Sequence, residues 1–314
     1  MGELVSIEKV ARELDEQRRT RLKGSPVDFE AYMQAREDDV ALIKPAQDFA
    51  DVLHEEFHGE EAQRGLYLPW RKLDSLYRIR PGELTVCAGF NGHMKSMVTG
   101  FVLLDLIRQG EKGRVASFEM KPRKTLRRMA TQAICTANPS ADYVNRFLDF
   151  VTGKLWLYDQ QGEVTPERVY GVITYCAEQL GIRQFIVDSL MKVVRDEDDY
   201  NGQKRFVGKL QSLARDLDVH VHLITHSRKR EDESKRPGKQ DNKGSGSIVD
   251  QTDNFVAVFK LPESKKPEDD GGPTHCLYFD KQRNGEWEGH VALWLDPASL
   301  QFKEGRLDKP HRYV

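Results

Sequence analysis

Lys95 and Ser96 draw attention because of what leads into them: Gly82-Glu-Leu-Thr-Val-Cys-Ala-Gly-Phe-Asn-Gly-His-Met-Lys-Ser-Met. A β-prone run from Leu84 to Ala88 breaks at Gly89. The loop passes through Asn91, Gly92, His93 and Met94, and an apolar helical stretch begins at Met97. Strand, small loop and helix in that order make a phosphate-binding loop, whose backbone N–H groups curl around a β-phosphate at the positive end of the helix dipole. Lys95 then reaches the β/γ-phosphate oxygens and the Ser96 hydroxyl holds Mg2+, which makes ATP with Mg2+ the expected ligand. The usual pattern has Gly directly before the Lys, where this chain has Met94. Met adopts a positive φ less cheaply than Gly, so either the loop turns differently or phosphate binding is weakened. The plain alternative is an ordinary strand-to-helix turn that contains Lys-Ser.

Three further clusters could join this chemistry. Asp188 ends the apolar run Phe185-Ile186-Val187, where a parallel sheet places its ligand loops, and fits a carboxylate that holds Mg2+ through water. Ser189 follows it, so no second acid is available there to activate water. Glu119, after the run Val115 to Phe118, is the candidate base, on a strand expected beside that of the phosphate loop. Thr225, His226 and Ser227 close another apolar run, where His226 could sense a γ-phosphate. Each of these also reads as an ordinary strand-end residue.

The segment Arg228 to Ser247 carries seven Lys or Arg against four acids, with Gly238 and Gly244-Ser-Gly-Ser. Cations, glycines and serines without aromatics suit contacts to a phosphate backbone better than base reading. A solvated charged loop has the same composition. Lys281 and Arg283 alternate onto one face of a strand just before Asn284-Gly285, and could reach a phosphate or simply face solvent.

These residues need a scaffold, and the alternation of patterns supplies one. Helical stretches are read at Ser96 to Gln109, from Pro122, at Pro166 to Leu180 and at Gly202 to Leu217. Strands are read at Val115 to Phe118, Lys154 to Tyr158, Gln184 to Val187 and Val219 to Ile224. Short buried strands alternating with helices predict an α/β fold with a mostly parallel sheet flanked by helices. Beyond residue 250 the runs Asn254 to Lys260, Thr274 to Gln282 and His290 to Leu295 suggest a hairpin-like extension at the sheet's edge. Residues 1–60 read differently, with helical spacing at Leu4, Ile7, Val10 and Leu14, a second stretch from Asp28 to Lys44, and a third with Phe49, Val52, Leu53 and Phe57 on one face. None of these buries a core alone. The expected division is therefore a helical appendage, 1–60, and one α/β domain, 61–314, with residues 1–26 also readable as a disordered tail.

A chain of 314 residues with 48 basic and 50 acidic side chains has a soluble composition that excludes neither nucleic-acid nor protein partners. The cysteines, Cys87, Cys135, Cys176 and Cys276, form no CxxC pair, so reduced thiols in a cytoplasm are expected and a zinc ribbon is not. No apolar run is long enough to span a bilayer.

Taken together, residues 65–304 resemble, collinearly, the C-terminal RecA-like motor domain of DnaB-type replicative helicases. The resemblance rests on Gly82-Glu-Leu-Thr-Val before the phosphate loop, on Ser117-Phe-Glu-Met, on Leu213-Ala-Arg-Asp-Leu and on Lys281-Gln-Arg-Asn-Gly. Lys235-Arg-Pro, followed by Lys243-Gly-Ser-Gly-Ser-Ile and Asp253, is similar to the family's DNA-gripping loop. It implies Glu119 as the water-activating base, His226 as the γ-phosphate sensor, and DNA contacts at Arg228, Lys243, Gly244 and Gly246. It also implies Lys281 and Arg283 acting on a neighbour's ATP, a homo-hexamer around single-stranded DNA, and a primase or loader as partner. Residues 1–60 would be the linker that docks on the adjacent subunit. With no room for the family's N-terminal domain, the chain most resembles a phage-encoded relative. A recombinase-type or clock-type ATPase and a catalytically weak DNA-binding ring protein are the alternatives.

Overall fold

The computed structural model describes residues 45–58, 65–194, 199–227, 236, 246–262 and 271–314. The chain divides into two compact units, residues 1–60 and 61–314. In the first, a 3-10 turn at Ala46–Phe49 leads into helix α1 (Ala50–His58). Phe49, Leu53 and Phe57 fall one helical turn apart and are 49%, 58% and 70% exposed, so an apolar stripe lies open along this element. The stretches at Leu4 to Leu14 and Asp28 to Lys44 lie outside the described residues.

The second unit is built on one sheet. Its strands are β1 (Leu84–Ala88), β2 (Gly113–Ser117), β3 (Leu155–Leu157), β4 (Gln184–Asp188), β5 (His220–Ile224), β6 (Asn254–Lys260), β7 (His275–Gln282), β8 (Gly289–Leu295) and β9 (Phe302–Lys303). Their spatial order is β3-β2-β4-β5-β1-β6-β7-β8-β9. Pairing is parallel from β3 through β6 and antiparallel from β6 to β9. The helices are α2 (Lys95–Arg108), α3 (Pro122–Ile134), α4 (Ala141–Val151), α5 (Pro166–Leu180), α6 (Tyr200–Asp216) and α7 (Gly246–Gln251).

The burial pattern explains the layering. Every residue of β1 is buried, as a central strand covered on both faces requires. On one face Cys87 and Ile224 join the apolar sides of α2, α3 and α4, including Phe101, Leu104, Met129 and Phe147. On the other, Val86 and Val221 meet Ile173 of α5 and Phe206 and Leu210 of α6. Helix α2 is buried on nearly every side because it lies between the sheet, α3 and the segment around Trp70. Pro166 opens α5 behind Thr165, whose hydroxyl accepts from the Arg168 N–H, and Gly181 ends it in the left-handed region.

Three expectations change. Strand β2 does not neighbour β1: it pairs with β3 and β4, and β4 and β5 stand between. Strand composition does not encode how far a crossover carries the chain before it pairs again. The antiparallel extension starts only at β7, since β6 pairs in parallel with β1 inside the sheet. Helix α4 was not anticipated, because the pattern opened by Pro122 stops at Cys135, which is left-handed, and restarts after Ser140.

Candidate active site

The phosphate loop lies between β1 and α2, at the carboxyl end of the parallel strands. A side chain at Gly89 would run into the Val258 carbonyl, so only glycine lets β1 lie this close to β6 while turning. Gly92 has φ 80° with open space around it, so its requirement is conformational. Met94 resolves the question posed by the sequence: it takes the left-handed conformation itself, with φ 63° and ψ 26°. The loop therefore keeps its turn, and the side chain packs against the core beside α2. A left-handed non-glycine residue costs about 1–2 kcal/mol. Replacing it by glycine relieves that strain but adds about 0.5–1 kcal/mol of unfolded-chain entropy and loses the packing. Met94→Gly is thus expected to unfold within about 1 kcal/mol of wild type in denaturant titration, whereas the β-branched Met94→Val is expected to lose about 1–3 kcal/mol. Equal stability of the two variants would show that the backbone is not strained here.

Met94 offers no side-chain cap to α2, so the first N–H groups of that helix and its dipole are available to an anion. Lys95 is 5% exposed, and its Nζ donates to the carbonyls of Gly89 (2.9 Å) and Phe90 (3.0 Å). Burial lowers its pKa, against the opposing pull of nearby acids that include Asp188 and Glu119. His93 turns away from the helix end, accepting the Lys260 N–H through Nδ1 at 3.1 Å, and so pins the loop tip to the end of β6.

Asp188 and Glu119 reach this loop from the ends of β4 and β2. The Ser96 hydroxyl donates to Asp188 Oδ2 at 2.8 Å and the Ser117 hydroxyl at 3.3 Å. Burial pushes the Asp188 carboxyl up, and the Ser96 hydrogen bond opposes this. A buried carboxylate surrounded by hydroxyl oxygens is a donor set for a hard cation, and Ser96 with Asp188 fits Mg2+. Among the described residues no cluster of three or more His, Cys, Asp or Glu forms a separate metal site.

Glu119 accepts from the Ser189 hydroxyl at 2.7 Å and lies 3.3 Å from His226 Nε2. His226 Nδ1 is 3.3 Å from Lys95 Nζ. An ammonium can only donate, which makes Nδ1 the acceptor and leaves Nε2–H to donate to Glu119. One imidazole therefore bridges the phosphate-loop lysine and the acid. The His226 contact, outweighing burial and aided by Ser189, holds the Glu119 carboxyl down at about 2. Ser189, read from the sequence only as a missing acid, is what orients the acid of the neighbouring strand. Lys95, Ser96, Glu119 and His226 line a cleft of about 840 Å³ that also exposes Arg128 and Lys192, and Asp188 bonds to the Ser96 of its lining. That volume suits a nucleotide. Sequence reading missed Ser117, Ser189, Arg128 and Lys192, since only register and crossover bring them here. A second cleft of about 880 Å³, between Tyr67 to Ser75 and the residues around Gln301 to Tyr313, contains none of these groups.

Lys281 and Arg283 lie elsewhere. Lys281 pairs in register with Phe255 near the start of β6, at the end of the sheet opposite the phosphate loop. Its Nζ donates to the carbonyls of Val249 (2.7 Å) and Asp250 (3.0 Å), and Arg283 donates to those of Asp250 (3.2 Å) and Thr252 (3.4 Å). Both cations thus share a face, as alternation predicts, although β7 itself ends at Gln282. Arg228, Lys243 and Gly244 lie outside the described residues. Gly246 is the first residue of α7, not part of an open loop, and Asp253, which follows that helix, is 2% exposed.

A central strand, phosphate loop and helix with Lys95, Ser96, Asp188 and Glu119 converging at the strand ends define a P-loop ATPase of the RecA-like kind. A family model described as AAA domain matches residues 70–232, just over half of the chain, and the chain belongs to that family. It is 25% identical over 260 residues to the Twinkle homolog protein, chloroplastic/mitochondrial, of Arabidopsis thaliana, covering 76% of this chain and 36% of that protein. The chain thus spans about a third of the length of this curated relative. Among solved structures, one described as an ATPase domain matches with TM-score 0.71 at 17% identity, covering 83% of this chain and 98% of that one. "The Structure Of A DnaB-Like Replicative Helicase And Its Interactions With Primase" matches with TM-score 0.73 at 16% identity, covering 94% and 75%. The fold is that of DnaB-type helicase ATPase domains. No helix among the described residues is long and apolar enough to cross a membrane.

Proposed function

We propose that this chain is the motor of a ring-forming replicative DNA helicase, which hydrolyses ATP between subunits and moves along single-stranded DNA. One observation carries the reading: Lys95, Ser96, Glu119 and His226 share one cleft, with Asp188 bonded to Ser96, while Lys281 and Arg283 stand at the opposite end of the sheet. Those two cations serve a triphosphate only if a second copy brings its own end of the sheet to this cleft. A ring closes that head-to-tail arrangement.

In the proposed reaction the N-terminal amides of α2 and Lys95 bind the β- and γ-phosphates. Ser96 and Asp188 would hold Mg2+, which would supply positive charge to the phosphates. Glu119 orients the attacking water on the far side of the γ-phosphate. His226, bonded to both Lys95 and Glu119, is placed to exchange those contacts for a phosphate oxygen and so to register hydrolysis. Arg283 of a neighbouring copy, with Lys281, stabilises charge on the transferring group. The basic segment 228–247, with Arg228, Lys243 and Gly244, begins two residues after His226 and grips the DNA backbone. The exposed stripe Phe49, Leu53 and Phe57 is the linker surface that docks on the adjacent subunit. The DnaB-like relative was solved with its interactions with primase, and a primase or loader is the expected partner.

Strand separation on a forked duplex with ATP and Mg2+ tests the motor. Filament formation on DNA without separation would support the recombinase-type reading instead. Arg283→Ala is expected to lower turnover by on the order of 10³-fold or more, as removal of an arginine finger does, with nucleotide binding retained. Loss of nucleotide binding in that variant would argue against a finger.

A further inference from the structure

We propose that Asp253 is the positioning residue for Arg283: it sets where the guanidinium stands when it serves a neighbour's triphosphate. The inference rests on the between-subunit reading above. Asp253 is 2% exposed and is held at the junction of α7 and β6 by the Leu84 N–H (2.9 Å) and the Gln211 side chain (3.0 Å) on its two carboxylate oxygens. Arg283 Nη1 is 3.3 Å from Asp253 Oδ1, and Arg215 lies 3.6 Å from the same oxygen. The main chain is fixed at the same point, since the Arg283 N–H donates to the Asp253 carbonyl at 2.9 Å. The next residue is tied down as well: Asn284 Nδ2 donates to Glu83 Oε1 at 2.8 Å, and Glu83 is 2% exposed.

The other acceptors around Arg283 are the neutral carbonyls of Asp250 and Thr252. Asp253 is the carboxylate in the set, and its ion pair adds the charge attraction that the neutral carbonyls lack. The Arg283 side chain stays 38% exposed, so it is braced on one side and open on the other. This arrangement suits a cation that must reach outward from a fixed mount. Because a misplacement of about 1 Å can cost on the order of 10²-fold in rate, the mount matters as much as the charge.

Asp253 also accepts from the first residue of β1, so a loss of activity alone would not separate a mount for Arg283 from support of the chain's own phosphate loop. Subunit mixing does. Asp253→Asn keeps an oxygen for the Leu84 N–H and removes the charge. It is expected to lower kcat on the order of 10²-fold with KM for ATP nearly unchanged. Co-expressed with Lys95→Ala, whose own ATP site is dead but whose Arg283 is intact, it should regain turnover several-fold above the average of the two separate proteins. Arg283→Ala co-expressed with Lys95→Ala should regain it in the same way. Recovery with Arg283→Ala but not with Asp253→Asn would overturn the inference and assign Asp253 to its own β1. Recovery in neither mixture would overturn the between-subunit reading and this inference with it. Asn284→Ala, which loosens the same mount at Glu83 and leaves the Asp253 bond to the Leu84 N–H in place, is a second variant if Asp253→Asn does not fold. It should show a smaller loss with the same recovery, and failure to recover beside a recovering Arg283→Ala mixture would count against the mount.

Discussion

Replacing Glu119 by glutamine is expected to lower ATP turnover by on the order of 10²–10⁴-fold, the range assigned to a general base, while nucleotide affinity changes little. Glutamine has the same shape and retains an oxygen for the Ser189 hydroxyl, whose bond to Glu119 is 2.7 Å. What it loses is the charge and the proton-accepting ability. Glu119, held down at about 2, remains ionised through any ordinary assay range and so contributes no acid limb to turnover between about pH 6 and 8. The sign for stability follows from the same shift. A carboxyl depressed below the ordinary value of about 4.3 stabilises the fold above that pH, and the contribution is lost as pH falls towards about 2. With 38% of the side chain exposed, solvent screening keeps that contribution small. A carboxylate this acidic is a weak base. Its largest source of acidity is the His226 contact, which a γ-phosphate competes for, so occupation of the cleft should raise its basicity at the moment of use. Single-turnover hydrolysis beside a fluorescent-nucleotide titration measures both quantities. A Glu119→Gln variant that cleaves at the wild-type rate would place the base elsewhere.

Lys95→Ala is expected to be the other large loss, falling on binding and chemistry together. The ammonium is 5% exposed and sits at the base of the phosphate loop, where burial has already lowered its pKa. A triphosphate returns favourable charge to it, so much of its worth appears only with ligand bound. Removing one preorganised donor to transition-state charge costs about 10²–10³-fold in rate, and the lost phosphate contact weakens affinity besides. Structural cost is smaller: the Gly89 and Phe90 carbonyls each lose a donor, worth about 1–3 kcal/mol if no water replaces it. Lys95→Arg should not rescue, because a planar guanidinium does not fit a pocket shaped around one compact ammonium. The check is nucleotide titration and ATPase rate beside a thermal melt. Wild-type turnover in Lys95→Ala would mean that the phosphates are held by some other cation.

Much of the site was legible in residue types at short range. The phosphate loop is local: glycine, loop length, Lys95 and Ser96 occur in consecutive positions, and backbone geometry follows from them. Met94 shows where this legibility ends. Its residue type argued against a positive φ, yet the loop takes one, because core packing and the α2 start outweigh a strain of about 1–2 kcal/mol. The β/α alternation was likewise readable from period and punctuation, apart from α4, which begins behind a left-handed Cys135.

What residue order alone determined was the parts: a strand-loop-helix built for phosphate, acids and a histidine at strand ends, and paired cations before an Asn-Gly turn. The tertiary structure decided which parts meet. Strand order places β4 and β5 between β2 and β1, and brings Ser189 and His226, from the ends of different strands, onto Glu119. The same topology sends Lys281 and Arg283 to the far end of the sheet, against the carbonyls that end α7. The physical reason is that side-chain chemistry is fixed by covalent structure and local backbone preference. Adjacency across a sheet depends on crossovers and on burial of both faces, which no short stretch encodes.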